Sequence, residues 1–250
     1  MPGVRNCDVT DEDMGLNKEL NSHASMSFIK CIKEGIKQDP ELKEELYSLI
    51  LFGSFVRGDF LEGVSDLDFF AVIVKRSEKT IPKLKRILEE CTQEIKATEV
   101  DLAWEYLKKL DDPLRKGYPF KFLTIYQEDF LKNHKVVYGK GIEDILPKYG
   151  WRKLVKWRAE RILNSLERRR GDLKMLHISA GEVARFLAFL GGAKTLEKKE
   201  VLETLRKIGD GKALEIYQAY LDGRKLKFNE ETLVNFISSR IMKVLDRGEI

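Results

Sequence analysis

Asp66 and Asp68 sit one residue apart at the head of an apolar run, Leu67 to Val74. A carboxylate within such a run costs roughly several kcal/mol unless it is paired, hydrogen-bonded or bound to metal. Side chains of a strand alternate faces, so the two aspartates point the same way, roughly 7 Å apart. A divalent cation between them removes their mutual repulsion, and hard oxygens suit Mg²⁺. The competing reading is that both acids sit at a strand's mouth and cap a neighbouring loop. Upstream, with eleven residues between Ser54 and Asp66, stand Gly53 and Ser54, directly after a second apolar run, Tyr47 to Phe52. Glycine lets backbone approach a ligand closely, and the amides of such a turn can face a phosphate. A third acid follows in "ATEVDLAW", where Glu99 and Asp101 share a face. Asp101 has the apolar bracket, Val100 and Leu102, that also surrounds Asp68. It is therefore the expected third ligand, with Glu99 as the fallback. Phosphate held by a Gly-Ser turn beside metal held by three carboxylates is the chemistry this spacing suggests.

These residues need strands behind them. The two apolar runs are short and rich in Ile, Val, Leu and Phe, as strands buried on both faces are. The pattern predicts strands at Tyr47–Phe52, Leu67–Val74 and Glu99–Ala103, and a short helix at Phe55–Phe60. A helix is expected over 27–38, ended or restarted by Asp39-Pro40. Thr80–Thr92 is amphipathic, with Pro82 in its first turn. Trp104–Leu110 reads as a helix stopped by Asp112-Pro113, and "FKFLTIY" (Phe120–Tyr126) as a strand. After Pro147 the pattern is helical: Trp151–Arg170, Lys174–Gly191, Lys198–Lys207, Lys212–Leu221 and Glu230–Asp246. That series predicts a helical bundle.

At 250 residues and 43% hydrophobic content, the chain can build one large domain or two ordinary ones. No apolar run is long enough for a transmembrane helix. Residues 1–26 lack an apolar core and read as a flexible leader, not a signal peptide. Cys7, Cys31 and Cys91 are far apart and form no Cys-x-x-Cys pair. They read as free thiols of a reducing cytoplasm. Residues 1–150 carry 23 Lys or Arg against 27 Asp or Glu, a net of −4, and residues 151–250 carry 22 against 14, a net of +8. A basic half beside an acidic half suits a phosphate-bearing substrate and does not suit a polycationic one. Solvated helix faces are the plainer account of the same numbers.

Phe52-Gly53-Ser54, Asp66-Leu67-Asp68-Phe69 and Val100-Asp101-Leu102 together resemble the nucleotidyltransferase superfamily that includes DNA polymerase beta. Asp111–Ile142 and Ile178–Leu226 are similar to the end of the catalytic domain and the helical domain of kanamycin nucleotidyltransferases. The resemblance spans roughly residues 28 to 245. It implies an α/β (α+β) fold, with a small mixed sheet flanked by helices at 27–147 and a helical bundle for substrate or dimer contacts at 148–250. It implies Mg²⁺ at Asp66, Asp68 and Asp101, and nucleotide contacts at Gly53, Ser54, Arg57 and Ser65. The nucleotide is an NTP, ATP first, the acceptor a hydroxyl of a small molecule, and a homodimer is compatible with it. Arg57 could instead pair with Asp59 or Glu62.

The family's general base is a Glu of the helical domain, and "KWRAERILNSLERR" offers Glu160. Asn164 is an alternative occupant of that place, and Glu182 on the next helix is a second acid. With Arg158, Arg161 and Arg185 nearby in sequence, either Glu can be a salt-bridge partner only. Arg170 and His177 fit the loose spacing of helical RNases, but Gly171 interrupts the helix between them. Trp151 and Trp157 read as core or interface. Nucleotidyl transfer to a tRNA end or to a protein side chain stays open, as does a non-catalytic nucleotide- or partner-binding module.

Overall fold

The computed structural model describes residues 27–75, 79–114, 120–222 and 227–246. The sequence-predicted leader, 1–26, lies outside the described residues. The chain divides into two compact units. The first contains the described residues up to Lys108 together with Asn133–Asp144, and the second contains Lys109–Lys132 and Ile145 onward. Lys109–Lys132, assigned from sequence to the first domain, thus groups with the helical unit. Its Leu114, Ile125 and Tyr126 belong to that unit's core.

The first unit begins with α1, residues 27–38. The Asp39 carboxylate accepts from the Glu41 and Leu42 amides and starts α2 (Pro40–Glu45), with Pro40 in its first turn. β1 (Leu46–Phe52) follows, then the one-turn α3 (Ser54–Arg57), β2 (Leu67–Ile73), α4 (Thr80–Cys91), β3 (Val100–Tyr106) and, after an excursion into the second unit, β4 (His134–Gly139). The sheet order is β3-β2-β1-β4. β1 runs antiparallel to β2 and β4, and β2 runs parallel to β3. A parallel pair needs a crossover, which α4 provides. One sheet face carries Leu49, Leu51, Leu67, Phe69, Ala71 and Ile73, packed with Ile32 and Ile36 of α1 and Leu84 and Leu88 of α4. That leaves Asp68 on the opposite face.

Three expectations change. Trp104–Leu110 does not begin as a helix: β3 continues to Tyr106, because all seven of its residues pair with β2, and only Leu107–Lys109 form a 3₁₀ turn. Phe120–Tyr126 is not a strand. Lys121–Leu123 is a 3₁₀ turn, and the Thr124 hydroxyl donates back to the Phe120 carbonyl oxygen at 2.9 Å, which closes the chain on itself. Cys31 of α1 and Cys91 of α4 are joined in a disulfide, so they are not the free thiols expected. They lie 60 residues apart in sequence, and only the packing of α1 on α4 brings them together.

The second unit holds a short α5 (Gln127–Lys132) and the helices α6 (Trp151–Leu166), α7 (Leu173–Leu190), α8 (Lys198–Lys207), α9 (Gly211–Asp222) and α10 (Glu230–Asp246). The expected bundle is therefore present, with the predicted bounds of α8 and α10 unchanged. Leu176, Val183, Phe186, Val201, Leu205, Ile216, Leu233 and Ile237 form its core. Trp157 packs at the core's edge beneath the Arg161 guanidinium, while Trp151 is exposed. Among the described residues no helix is long and apolar enough to cross a membrane.

Candidate active site

β1 ends at Phe52, and the chain turns sharply at Gly53 (φ 80°, ψ −155°), a conformation open in practice to glycine alone. A Cβ on Gly53 would lie 2.1 Å from Asp68 Oδ2, so the missing side chain is what lets the turn and the carboxylate share this space. α3 follows at once. The Phe55 ring stands edge-on to those of Phe28 (5.6 Å) and Phe60 (5.4 Å), which anchors the turn to α1. The Gly58 and Asp59 amides both donate to the Ser54 carbonyl oxygen at 3.1 Å, so α3 ends after one turn.

The sheet register gathers the acids. Asp68 pairs in register with Asp101 on β3 and with Phe52 on β1, which in turn faces His134 on β4. His134, Phe52, Asp68 and Asp101 thus form one row across the sheet, on a common face. Strands are spaced about 4.8 Å apart, so Asp68 and Asp101 are immediate neighbours. The Leu67 amide donates to the Glu99 carbonyl oxygen at 2.9 Å, which sets Glu99 beside Asp66 in the same alignment. Asp66 and Asp68 are half-buried, and Glu99 and Asp101 are exposed. Among the described residues no group of three His, Cys, Asp or Glu side chains is assembled to hold a metal ion.

Ser65 is buried; its Oγ accepts from the Leu61 amide at 3.1 Å and its carbonyl oxygen accepts from the Thr98 amide at 3.0 Å. It thereby ties the loop before β2 to the segment before β3, and sets where Asp66 starts. Arg57 is paired with Asp59, 3.4 Å from Nε to Oδ1, in a nearly buried ion pair. Of the two readings of Arg57, the structure contains this pairing. His134 was missed from sequence, since only the pairing of β4 with β1 puts it in the row. Its Nε2 lies 2.7 Å from Glu143 Oε1. The Glu143 carboxyl lies below its ordinary range, through its own backbone amide and through His134.

In the second unit Glu160 is exposed on α6, 3.9 Å from Lys156. Glu182 of α7 is buried and takes four donors: Lys121 at 2.7 Å, Arg158 at 2.9 Å, Arg185 at 3.0 Å and the Tyr126 hydroxyl at 3.2 Å. Burial opposes its charge, but Lys121, Arg185 and Arg158 outweigh burial and hold the carboxyl well below its usual range. Burial pulls Lys121 down to about 8 against the raising pull of Glu182. Burial and Glu182 push the Tyr126 phenol up, so it stays a donor. Glu182 is thus the hub of an ion cluster and not an available base. His177 is buried with its Nε2 3.3 Å from the Phe228 carbonyl oxygen, while Arg170 is bonded to Glu167 at 2.8 Å.

Residues 29–136 match the sequence model of the nucleotidyltransferase domain. None of the curated proteins matches the chain significantly. Among solved structures, the chain is similar to spectinomycin adenyltransferase AAD(9) from Enterococcus faecialis, solved with ATP and spectinomycin. The TM-score is 0.57 at 17% identity, over 84% of this chain and 98% of that one. At that identity the likeness speaks for the fold, and it spans both units.

Proposed function

Because residues 29–136 match the sequence model of the nucleotidyltransferase domain, we propose that the chain moves a nucleoside monophosphate from an NTP, ATP first, to a hydroxyl of a small-molecule acceptor and releases pyrophosphate. The observation that carries this reading is the contact of Gly53 with Asp68. Close approach of a glycine turn to a carboxylate is what a site needs when phosphate and metal meet at one point. Oxygen donors for a hard cation stand close in the register: Asp101 lies beside Asp68, and the Leu67 amide bonded to the Glu99 carbonyl oxygen aligns Glu99 with Asp66. Asp66, Asp68 and Asp101 would hold Mg²⁺, which when bound neutralises phosphate charge and favours in-line displacement at phosphorus.

The chain's own groups do the rest. The backbone of Gly53 and Ser54 lies along the phosphates. Arg57, turned from Asp59, adds a positive charge there. Ser65 holds the start of β2 in place. The acceptor oxygen bonds to the α-phosphorus as the bond to pyrophosphate breaks, and the hydroxyl proton passes to solvent.

The test is to incubate the chain with Mg²⁺, ATP and separate pools of metabolites, RNA and protein, then search each pool by mass spectrometry for a gained nucleoside monophosphate. A product in the metabolite pool supports the reading. A product in the RNA or protein pool alone replaces the small-molecule acceptor. No product in any pool, with no binding of ATP, favours a non-catalytic module.

A further inference from the structure

We propose that Lys121, Arg158 and Arg185 form an oxyanion site within the helical unit, built to receive a phosphate group. Three cations converge there on a single carboxylate, Glu182, so among the ion pairs of the described residues positive charge exceeds negative at this point. Arg169 adds to the excess: it donates to the Ser179 hydroxyl on α7, and burial together with the Arg158 charge lowers its proton affinity. Unbalanced charge in a buried place is costly, and an anion is the direct remedy.

The donors are also incompletely used. Arg158 Nε and Arg185 Nε are buried with no hydrogen-bond partner among the described residues. A guanidinium offers five N–H donors in a planar fork that matches the oxygens of phosphate. Only 13% and 17% of these two side chains are accessible, so both forks are fixed. The Arg185 guanidinium is held further over the Tyr220 ring, 5.2 Å from its centroid. Lys121 is the open side, with 37% of its side chain accessible. A polycationic ligand finds no place here.

The inference stands on the helical unit alone and does not need nucleotidyl transfer. The phosphate can belong to a nucleotide or to a separate ligand, and one titration distinguishes the two. Inorganic phosphate is titrated calorimetrically into the full chain, the Lys121→Met variant and the Arg158→Met variant, each checked for folding by circular dichroism. Lys121→Met removes the most accessible of the three cations. The expected result is saturable binding by the native chain, at least about tenfold weaker in both variants. In a Glu182→Gln variant phosphate raises the melting temperature more than in the native chain, because the cation excess there is larger. Phosphate that ATP displaces marks a nucleotide site; phosphate that binds alongside ATP marks a separate ligand, and either supports the oxyanion site. Absence of saturable binding by the native chain, or binding by both Met variants as tight as that of the native chain, overturns it.

Discussion

Replacing Gly53 by Ala separates backbone strain from active-site geometry. At φ 80° and ψ −155° an alanine is strained by about 1–3 kcal/mol, which an unfolding titration reads directly. The added Cβ would also sit 2.1 Å from Asp68 Oδ2, where ordinary contact begins near 3.4 Å. The carboxylate must therefore retreat by about 1 Å, and a misplacement of that size costs about 100-fold in rate. Gly63 supplies the control. Its φ is +68°, but a Cβ there meets nothing within 4 Å. Gly63→Ala should lose comparable stability and keep the native rate. The assay is urea unfolding beside steady-state turnover on the acceptor identified by the pool screen. A Gly53→Ala enzyme with a rate within about threefold of native would refute the reasoning, because Asp68 would then not need its present position.

Other consequences follow from the same contacts. Reducing Cys31–Cys91 frees a 60-residue separation in the unfolded chain, so stability should fall by about 4 kcal/mol in denaturant titrations with and without dithiothreitol. The Lys121 ammonium, lowered to about 8 from an ordinary 10.5, binds its proton less well in the folded chain than in the unfolded one. Stability should therefore rise between pH 8 and 10, and the urea midpoint of Lys121→Met should lose that slope. Asp59→Asn strips the buried partner from Arg57 and should destabilise the first unit by about 3 kcal/mol, read by thermal unfolding.

Much of the site could be read from residue order because it is built from neighbours in sequence. Apolar runs mark β1 and β2, the Gly-Ser turn follows β1, and Asp66-x-Asp68 has strand spacing. The features that escaped depend on contacts distant in the chain. β3 outruns its expected end since pairing with β2 overrides the local pattern of Trp104–Tyr106. Phe120–Tyr126 has strand-like composition, but Thr124 satisfies its own turn. His134 enters the row through β4 alone, and Cys31 meets Cys91 only because α1 packs on α4. Glu182 and its cations come from three separate segments, so their spacing offered a candidate base where folding makes an ion cluster.

The most direct measurement is pyrophosphate release from ATP by the native chain and by Asp66→Asn and Asp68→Asn variants, with Mg²⁺ and with EDTA. The account predicts release that needs Mg²⁺ and drops by at least about 1000-fold in either variant while the fold is retained. Release at the native rate in both Asn variants would contradict it, since the two carboxylates would then carry no part of the chemistry.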